Sequence, residues 1–177
     1  MRALVILADG FEDIEAFAVI DVLRRAGIDV VTCGLMTTSV ESMSRARVTA
    51  DKKLSEIAEK DFDALILPGG PGHRHLLNSN AIIKMIKEFD ENKKLIAAIC
   101  ASPAVLAKAG ILDDKIATIY PGMENQLPKP RDAKVIVAEN VVTSRSPGTA
   151  IEFALKLAEI MAGKNTAQKI RAGLVVD

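Results

Sequence analysis

The sequence reads Leu-Ile-Ala-Ala-Ile-Cys-Ala-Ser-Pro over residues 95–103, and this stretch decides the fold. Five apolar residues follow Lys93-Lys94 and stop at Cys100, the length and bounding of a strand buried on both faces. Ser102 and Pro103 are the residue types of an N-cap and a first helical position, and the apolar run after them ends at Gly110, a helix stop. Strand, sharp turn and helix therefore meet at Cys100. A side chain at such a turn stands at the carboxyl edge of a sheet, close to the free amides of a helix start. Those amides favour an anion, which predicts a thiol that ionises more readily than an ordinary one. The competing reading is an inert core cysteine, since cysteine is among the most buried residue types. The Ser-Pro start directly behind it favours the reactive reading.

The same logic extends outward on both sides. Residues 3–8 form a continuous apolar run, as in a parallel strand covered on both faces. Asp9-Gly10 turns the chain into a helix over 14–26, with acids at its front, Arg24-Arg25 at its back and Gly27 as its stop. Strands are expected at 28–33 and 64–67, the latter closing on Pro68-Gly69-Gly70-Pro71-Gly72. The polar segment 37–51 reads as a short hairpin or edge strand around 47–50, and 54–59 as a short helix. A helix is expected over 81–92. Beyond the cysteine turn, 116–120 reads as a strand, 121–131 as a proline-containing connection, and 134–138 with 141–143 as short strands around an Glu139-Asn140 turn. Ser146-Pro147 repeats the cap-and-proline start and opens a helix over 147–161, ended by Gly163. A short helix over 166–171 and an apolar tail over 174–176 complete the chain. Strands alternate with helices almost throughout, which predicts right-handed β-α-β units in one layered α/β/α sandwich spanning residues 1–177.

Composition bounds the function. The chain has 177 residues, enough for one real core, and with five Phe, one Tyr and no Trp that core must be aliphatic. Lys plus Arg equals Asp plus Glu at 23 each, and this balance argues against nucleic acid or an anionic membrane as main partner. Two distant cysteines, Cys33 and Cys100, make no disulfide framework and point to a reducing compartment. The first apolar run is too short for a secretory signal and no run reaches membrane-spanning length, so a soluble, cytoplasmic protein is expected.

Ligands of an open α/β sheet bind at the carboxyl ends of strands. Three such ends carry suggestive residues: Asp9-Gly10, Gly69-Gly70 and Cys100. None matches a phosphate-binding formula, so no cofactor is expected. Tight glycine turns can aim amides into a pocket and, with the Ala101 amide, build an oxyanion hole beside the sulfur, or they can merely let the chain turn. Glu15 falls on the apolar face of the first helix with Ala18, Val19 and Val22. Carboxylates are seldom buried without a partner and burial raises their pKa, which makes Glu15 a candidate general base or hydrogen-bond donor to the sulfur. The alternative is a plain exposed acid. His73 and His75 follow the glycine turn; a cysteine nucleophile often works with a histidine, although loop histidines are usually solvated bystanders. Two histidines without a nearby acid or thiol make a poor metal site, and none is expected. Arg25, Arg45 and Arg145 are candidates for neutralising an anionic ligand.

Taken together, the cysteine turn, Leu67-Pro68-Gly69-Gly70, Glu15 and Thr143-Ser144-Arg145-Ser146-Pro147-Gly148-Thr149-Ala150 closely resemble the ThiJ/PfpI superfamily, in particular its parkinsonism-associated deglycase-like branch. The resemblance runs from Arg2 to the C-terminus. It implies a flavodoxin-like sandwich with a mostly parallel sheet and a homodimer with the cysteine pocket near the interface. It also implies Cys100 as nucleophile, Glu15 as the carboxyl bonded to its sulfur, and Gly70 with Ala101 as amide donors, with Gly69, His73 and Tyr120 around the pocket and Arg25 and Arg45 beside it. The implied activity is cofactor-independent glyoxalase or deglycase chemistry on small aldehydes or their adducts; the alternative is a stress protein whose cysteine oxidises to the sulfinate without turnover. Two departures matter. Protease-like members have a histidine directly after the cysteine, where this chain has Ala101, which makes peptidase activity the least favoured reading. Several glyoxalase-active members place a histidine before a proline across the pocket, where this chain has Tyr120-Pro121; a tyrosine hydroxyl donates a hydrogen bond but is a poor base near neutral pH.

Overall fold

The computed structural model describes residues 1–176. In chain order the elements are β1 (Arg2–Leu7), α1 (Asp13–Arg25), β2 (Asp29–Gly34), β3 (Ser39–Glu41), β4 (Arg47–Thr49), β5 (Lys52–Lys53), β6 (Ala64–Leu67), α2 (His73–Leu77), α3 (Asn80–Glu91), β7 (Leu95–Ile99), α4 (Pro103–Lys108), β8 (Val135–Ala138), β9 (Val141–Ser144), α5 (Ala150–Ala162) and α6 (Lys164–Gly173). Seven strands form one sheet in the order β5-β2-β1-β6-β7-β9-β8, and β3 pairs with β4 as a separate hairpin. All pairings within the large sheet are parallel except β8 with β9. This is the α/β flavodoxin-like architecture that the alternation of elements and the resemblance lead one to expect.

The apolar runs fold as strands because both faces of the sheet are covered. Along β1, Ala3, Val5 and Leu7 enter the core beneath α1, α5 and α6, whereas Leu4 and Ile6 enter the core beneath α2, α3 and α4. The alternation continues in β7, where Ala97 and Ile99 face α1 and α5 while Ile96 and Ala98 face the opposite layer. Cys100 and Ala101, just beyond the strand, belong to the α1/α5 side. That side is where Glu15 lies.

The expected hairpin exists as β3–β4, and the 54–59 helix resolves into two 3-10 turns, Leu54–Glu56 and Glu59–Asp61. One expectation fails. Residues 116–120 form no strand; Ala117 makes only an isolated bridge with Pro130. The apolar residues are explained by packing, since Ala117 and Ile119 are buried beneath the sheet. The backbone bonds of the segment go elsewhere: Thr118 N donates to Thr143 Oγ1 at 3.0 Å and Tyr120 N to the Cys100 carbonyl at 2.8 Å. The position beside β7 is taken by β9, with β8 outside it. Among the described residues no helix is long and apolar enough to cross a membrane.

Phe153 on α5 is fully buried in the α1/α5 core. Phe153→Ala is expected to destabilise the fold by about 3–5 kcal/mol. Urea titration should show a lowered midpoint at unchanged m value.

Candidate active site

Cys100 occupies the left-handed region, with φ +63°, although it is not glycine. Such a conformation costs on the order of 1–3 kcal/mol and persists only where the surroundings enforce it. Here its amide donates to the Ser144 carbonyl at 2.9 Å, and its carbonyl accepts from Tyr120 N at 2.8 Å. The end of β9 on one side and the 118–121 segment on the other thus clamp the turn. The residue is 7 % exposed.

The side chain meets three other elements. Glu15, in the first turn of α1, is completely buried, and its Oε2 accepts from Gly69 N at 2.7 Å. The same carboxyl interacts with the Cys100 side chain, and its Oε1 is buried without a hydrogen-bond partner. The amides of Gly70 and Ala101 are directed at the sulfur. Glycine is required at 69 by close approach: a Cβ there would lie 2.7 Å from Cys100 Cβ and 2.7 Å from Glu15 Oε2. At Gly70, φ is +80° and a Cβ would lie 2.6 Å from the Gly10 carbonyl oxygen. These glycines bring the loop after β6 against the loop after β1, where Glu12 N donates to Gly69 O at 3.1 Å and Gly72 N to Gly10 O at 3.0 Å.

Electrostatics corrects one expectation. Burial, then the charge and hydrogen bond of Glu15, push the Cys100 thiol up to about 12, against the opposing pull of the Gly70 and Ala101 amides. The helix behind the turn, α4, is only six residues long, and its start does not overcome burial beside an acid. Burial likewise raises Glu15 to about 7, although its bonds to Cys100 and Gly69 favour the charged form. The part of this rise due to charge repulsion comes from an ionised Glu15 and vanishes when that carboxyl keeps its proton, whereas the part due to burial remains. The two groups form one titrating unit.

The remaining candidates divide. Tyr120 is held beside the turn through its backbone, with its side chain 45 % exposed. His73 begins α2, and its Nδ1 is 2.9 Å from the Gly70 carbonyl oxygen, so the ring is engaged with its own loop. His75 opens instead onto a separate cavity of about 510 Å³ with Asp9, Met36 and Asn78. Arg45 sits with φ +68° in the turn between β3 and β4. That turn is fastened to the start of α1 by Ser44 Oγ donating to Asp13 Oδ1 at 2.8 Å, and Arg45 itself is exposed. Arg25 is not beside the pocket. It lies in the last turn of α1, ten residues beyond Glu15 and so about 15 Å along the axis, paired with Asp21 at 2.7 Å. Ser102 also departs from its expected part, since its hydroxyl makes no helix-capping bond and donates to the Pro68 carbonyl at 2.6 Å. Its complete burial, which only the folded chain reveals, is the signal of this other task.

With this geometry in place, comparison with known proteins is informative. Residues 1–160 match the DJ-1/PfpI family. Protein dj-1beta of Drosophila melanogaster is 43% identical over 180 residues, covering 98% of this chain and 96% of that protein. The crystal structure of that fly protein has a TM-score of 0.95 at 42% identity, with 99% of this chain and 98% of that one covered. The oxidized form of Toxoplasma gondii DJ-1 gives 0.94 at 42% identity over 98% and 97% of the two chains. A glutathione-independent glyoxalase of Caenorhabditis elegans, DJR-1.2, is 36% identical over 165 residues, 91% of this chain and 89% of that protein. Sheet order, cysteine turn and these similarities lead to one conclusion: the chain belongs to the DJ-1/PfpI family.

Proposed function

We propose that the protein is a cofactor-independent glyoxalase or deglycase-like enzyme acting on methylglyoxal-type aldehydes or their early adducts on protein or nucleotide amines. The observation that carries this reading is the convergence of the Glu15 carboxyl and the Gly70 and Ala101 amides on the Cys100 sulfur. The name of the nematode relative supports it. In the proposed reaction Glu15 holds the shared proton while the Cys100 thiolate adds to the aldehyde carbon. The amides of Gly70 and Ala101 receive the resulting oxyanion. Glu15 protonates that oxygen to give the hemithioacetal, then as carboxylate takes the proton from the former aldehyde carbon and returns it to the neighbouring one, while the hemithioacetal hydroxyl proton passes to the neighbouring oxygen and the carbonyl moves to the sulfur-bearing carbon. The product is a 2-hydroxyacyl thioester. Water hydrolyses it to a 2-hydroxy acid and restores the thiol, so the net change is addition of one water.

A second reading, a peroxide-responsive protein whose cysteine becomes a sulfinate, is favoured by the carboxyl of Glu15 that meets the Cys100 side chain and has a buried oxygen, Oε1, without a hydrogen-bond partner, and by the oxidized state of the Toxoplasma relative. One set of variants separates the two. Cys100→Ser should reduce methylglyoxal consumption by at least about 100-fold, and Glu15→Gln by about 100-fold, with Tyr120→His raising the rate. No consumption by wild type, together with a gain of two oxygens in intact mass after mild peroxide that Cys100→Ser abolishes, would select the redox reading.

The shared proton has a thermodynamic signature. The folded carboxyl of Glu15 is raised to about 7 from 4.5, so between these values the folded state holds a proton the unfolded chain has released. Stability should therefore be fully present below about pH 4.5 and decline as pH rises toward 7, by on the order of 3 kcal/mol. Glu15→Gln should flatten this window and melt higher at neutral pH, as calorimetry across pH 4.5–8 would register.

The homodimer is proposed to form through the outward face of α1, where Ile14 is 57 % and Phe17 43 % exposed, with Met43 on the neighbouring hairpin turn 51 % exposed. Sedimentation at micromolar concentration should give a dimer for wild type and a monomer for Phe17→Asp; a monomeric wild type refutes the interface.

A further inference from the structure

Ser102 is two residues past Cys100, and its side chain is wholly inaccessible to solvent. A buried hydroxyl must find a partner, and this one reaches across to the loop after β6 instead of capping α4. Its partner, the Pro68 carbonyl at 2.6 Å, belongs to the same peptide unit as the Gly69 amide. That amide donates to Glu15 Oε2 at 2.7 Å. No peptide bond among the described residues is cis, so carbonyl and amide lie in one plane and point in opposite directions. Ser102 holds one edge of the peptide and Glu15 the other.

The position of this bond matters. The ladder between β6 and β7 ends at Leu67 with Ala98, so beyond it no strand pairing fixes how the 68–70 loop sits relative to the cysteine turn. The Ser102 bond takes over there. A hydroxyl donating to the carbonyl also polarises the peptide and makes its amide a stronger donor. The circuit closes on itself, from Cys100 through Ser102, Pro68, Gly69 and Glu15 back to the Cys100 sulfur.

We propose that Ser102 is a positioning residue for the reacting pair: through the Pro68–Gly69 peptide its hydroxyl sets the amide that holds Glu15 against Cys100. The proposal rests on the reading of Glu15 and Cys100 as one proton-sharing pair. Without the hydroxyl, the Pro68 carbonyl is left buried and unsatisfied, the peptide is free to tilt, and the Glu15 carboxylate loses part of the bond that favours its charge.

The test is the rate of Cys100 alkylation by iodoacetamide from pH 5 to 9, followed by intact mass, with Cys100→Ser as the blank for Cys33. Wild type should show an inflection near neutral pH as Glu15 gives up its proton. In Ser102→Ala this inflection should move up by about half a pH unit or more, the scale expected for one lost hydrogen bond to a carboxylate. Ser102→Thr, which keeps the hydroxyl, should restore it. Ser102→Gly removes the hydroxyl with still less bulk and reads the same shift where Ser102→Ala does not fold. A Ser102→Ala or Ser102→Gly profile superimposing on wild type, or a Ser102→Thr profile shifted like that of Ala, overturns the proposal. The measurement needs no aldehyde, so it is independent of turnover. A wild-type profile without any inflection refutes the pair itself, whereas an inflection unmoved in the hydroxyl-less variants refutes only the part assigned to Ser102.

Discussion

The structure depends on a carboxyl group placed where carboxyl groups are costly. Glu15 is excluded from solvent, yet has one main-chain amide and one sulfur for company. An isolated buried charge is prohibitive, so the group compromises by holding its proton to near neutrality. That compromise is affordable because the rest of the fold is built of close-packed aliphatic residues on both faces of one sheet. The cysteine turn, the glycine loop and the first turn of α1 are each anchored to that sheet, and at their meeting point Cys100 is held in the left-handed region.

Much of this is legible in the residues. Runs such as 3–8, 64–67 and 95–99 are uniformly apolar because a strand covered twice has no polar face to show, and the structure places all three side by side. Glu15 stands out because its helical neighbours are apolar, and its burial follows from that face. The cysteine turn is announced by the Ser-Pro pair, although the reason for the serine lies elsewhere: a hydroxyl two residues from a strand end suits a cap by type, while its true partner, Pro68, is 34 residues earlier.

What sequence does not convey is relative position in space. Residues 116–120 have the composition of a strand, but composition reports burial and does not report which neighbour owns the adjacent ladder. Arg25 follows an acidic helix start closely in sequence, yet the helix carries it to its opposite end, about 15 Å along the axis from Glu15. The acidity of the thiol was equally out of reach, since it is decided by the balance of desolvation, a neighbouring acid and two amides, and only distances set that balance.

The main-chain contact between Gly10 and Gly72 closes the crevice between β1 and β6, where the strand order of the sheet reverses. Folds of this topology usually lodge a nucleotide in that crevice. In this protein the polypeptide occupies that place itself, and the loops after β1 and β6 are held together where a ligand would otherwise part them.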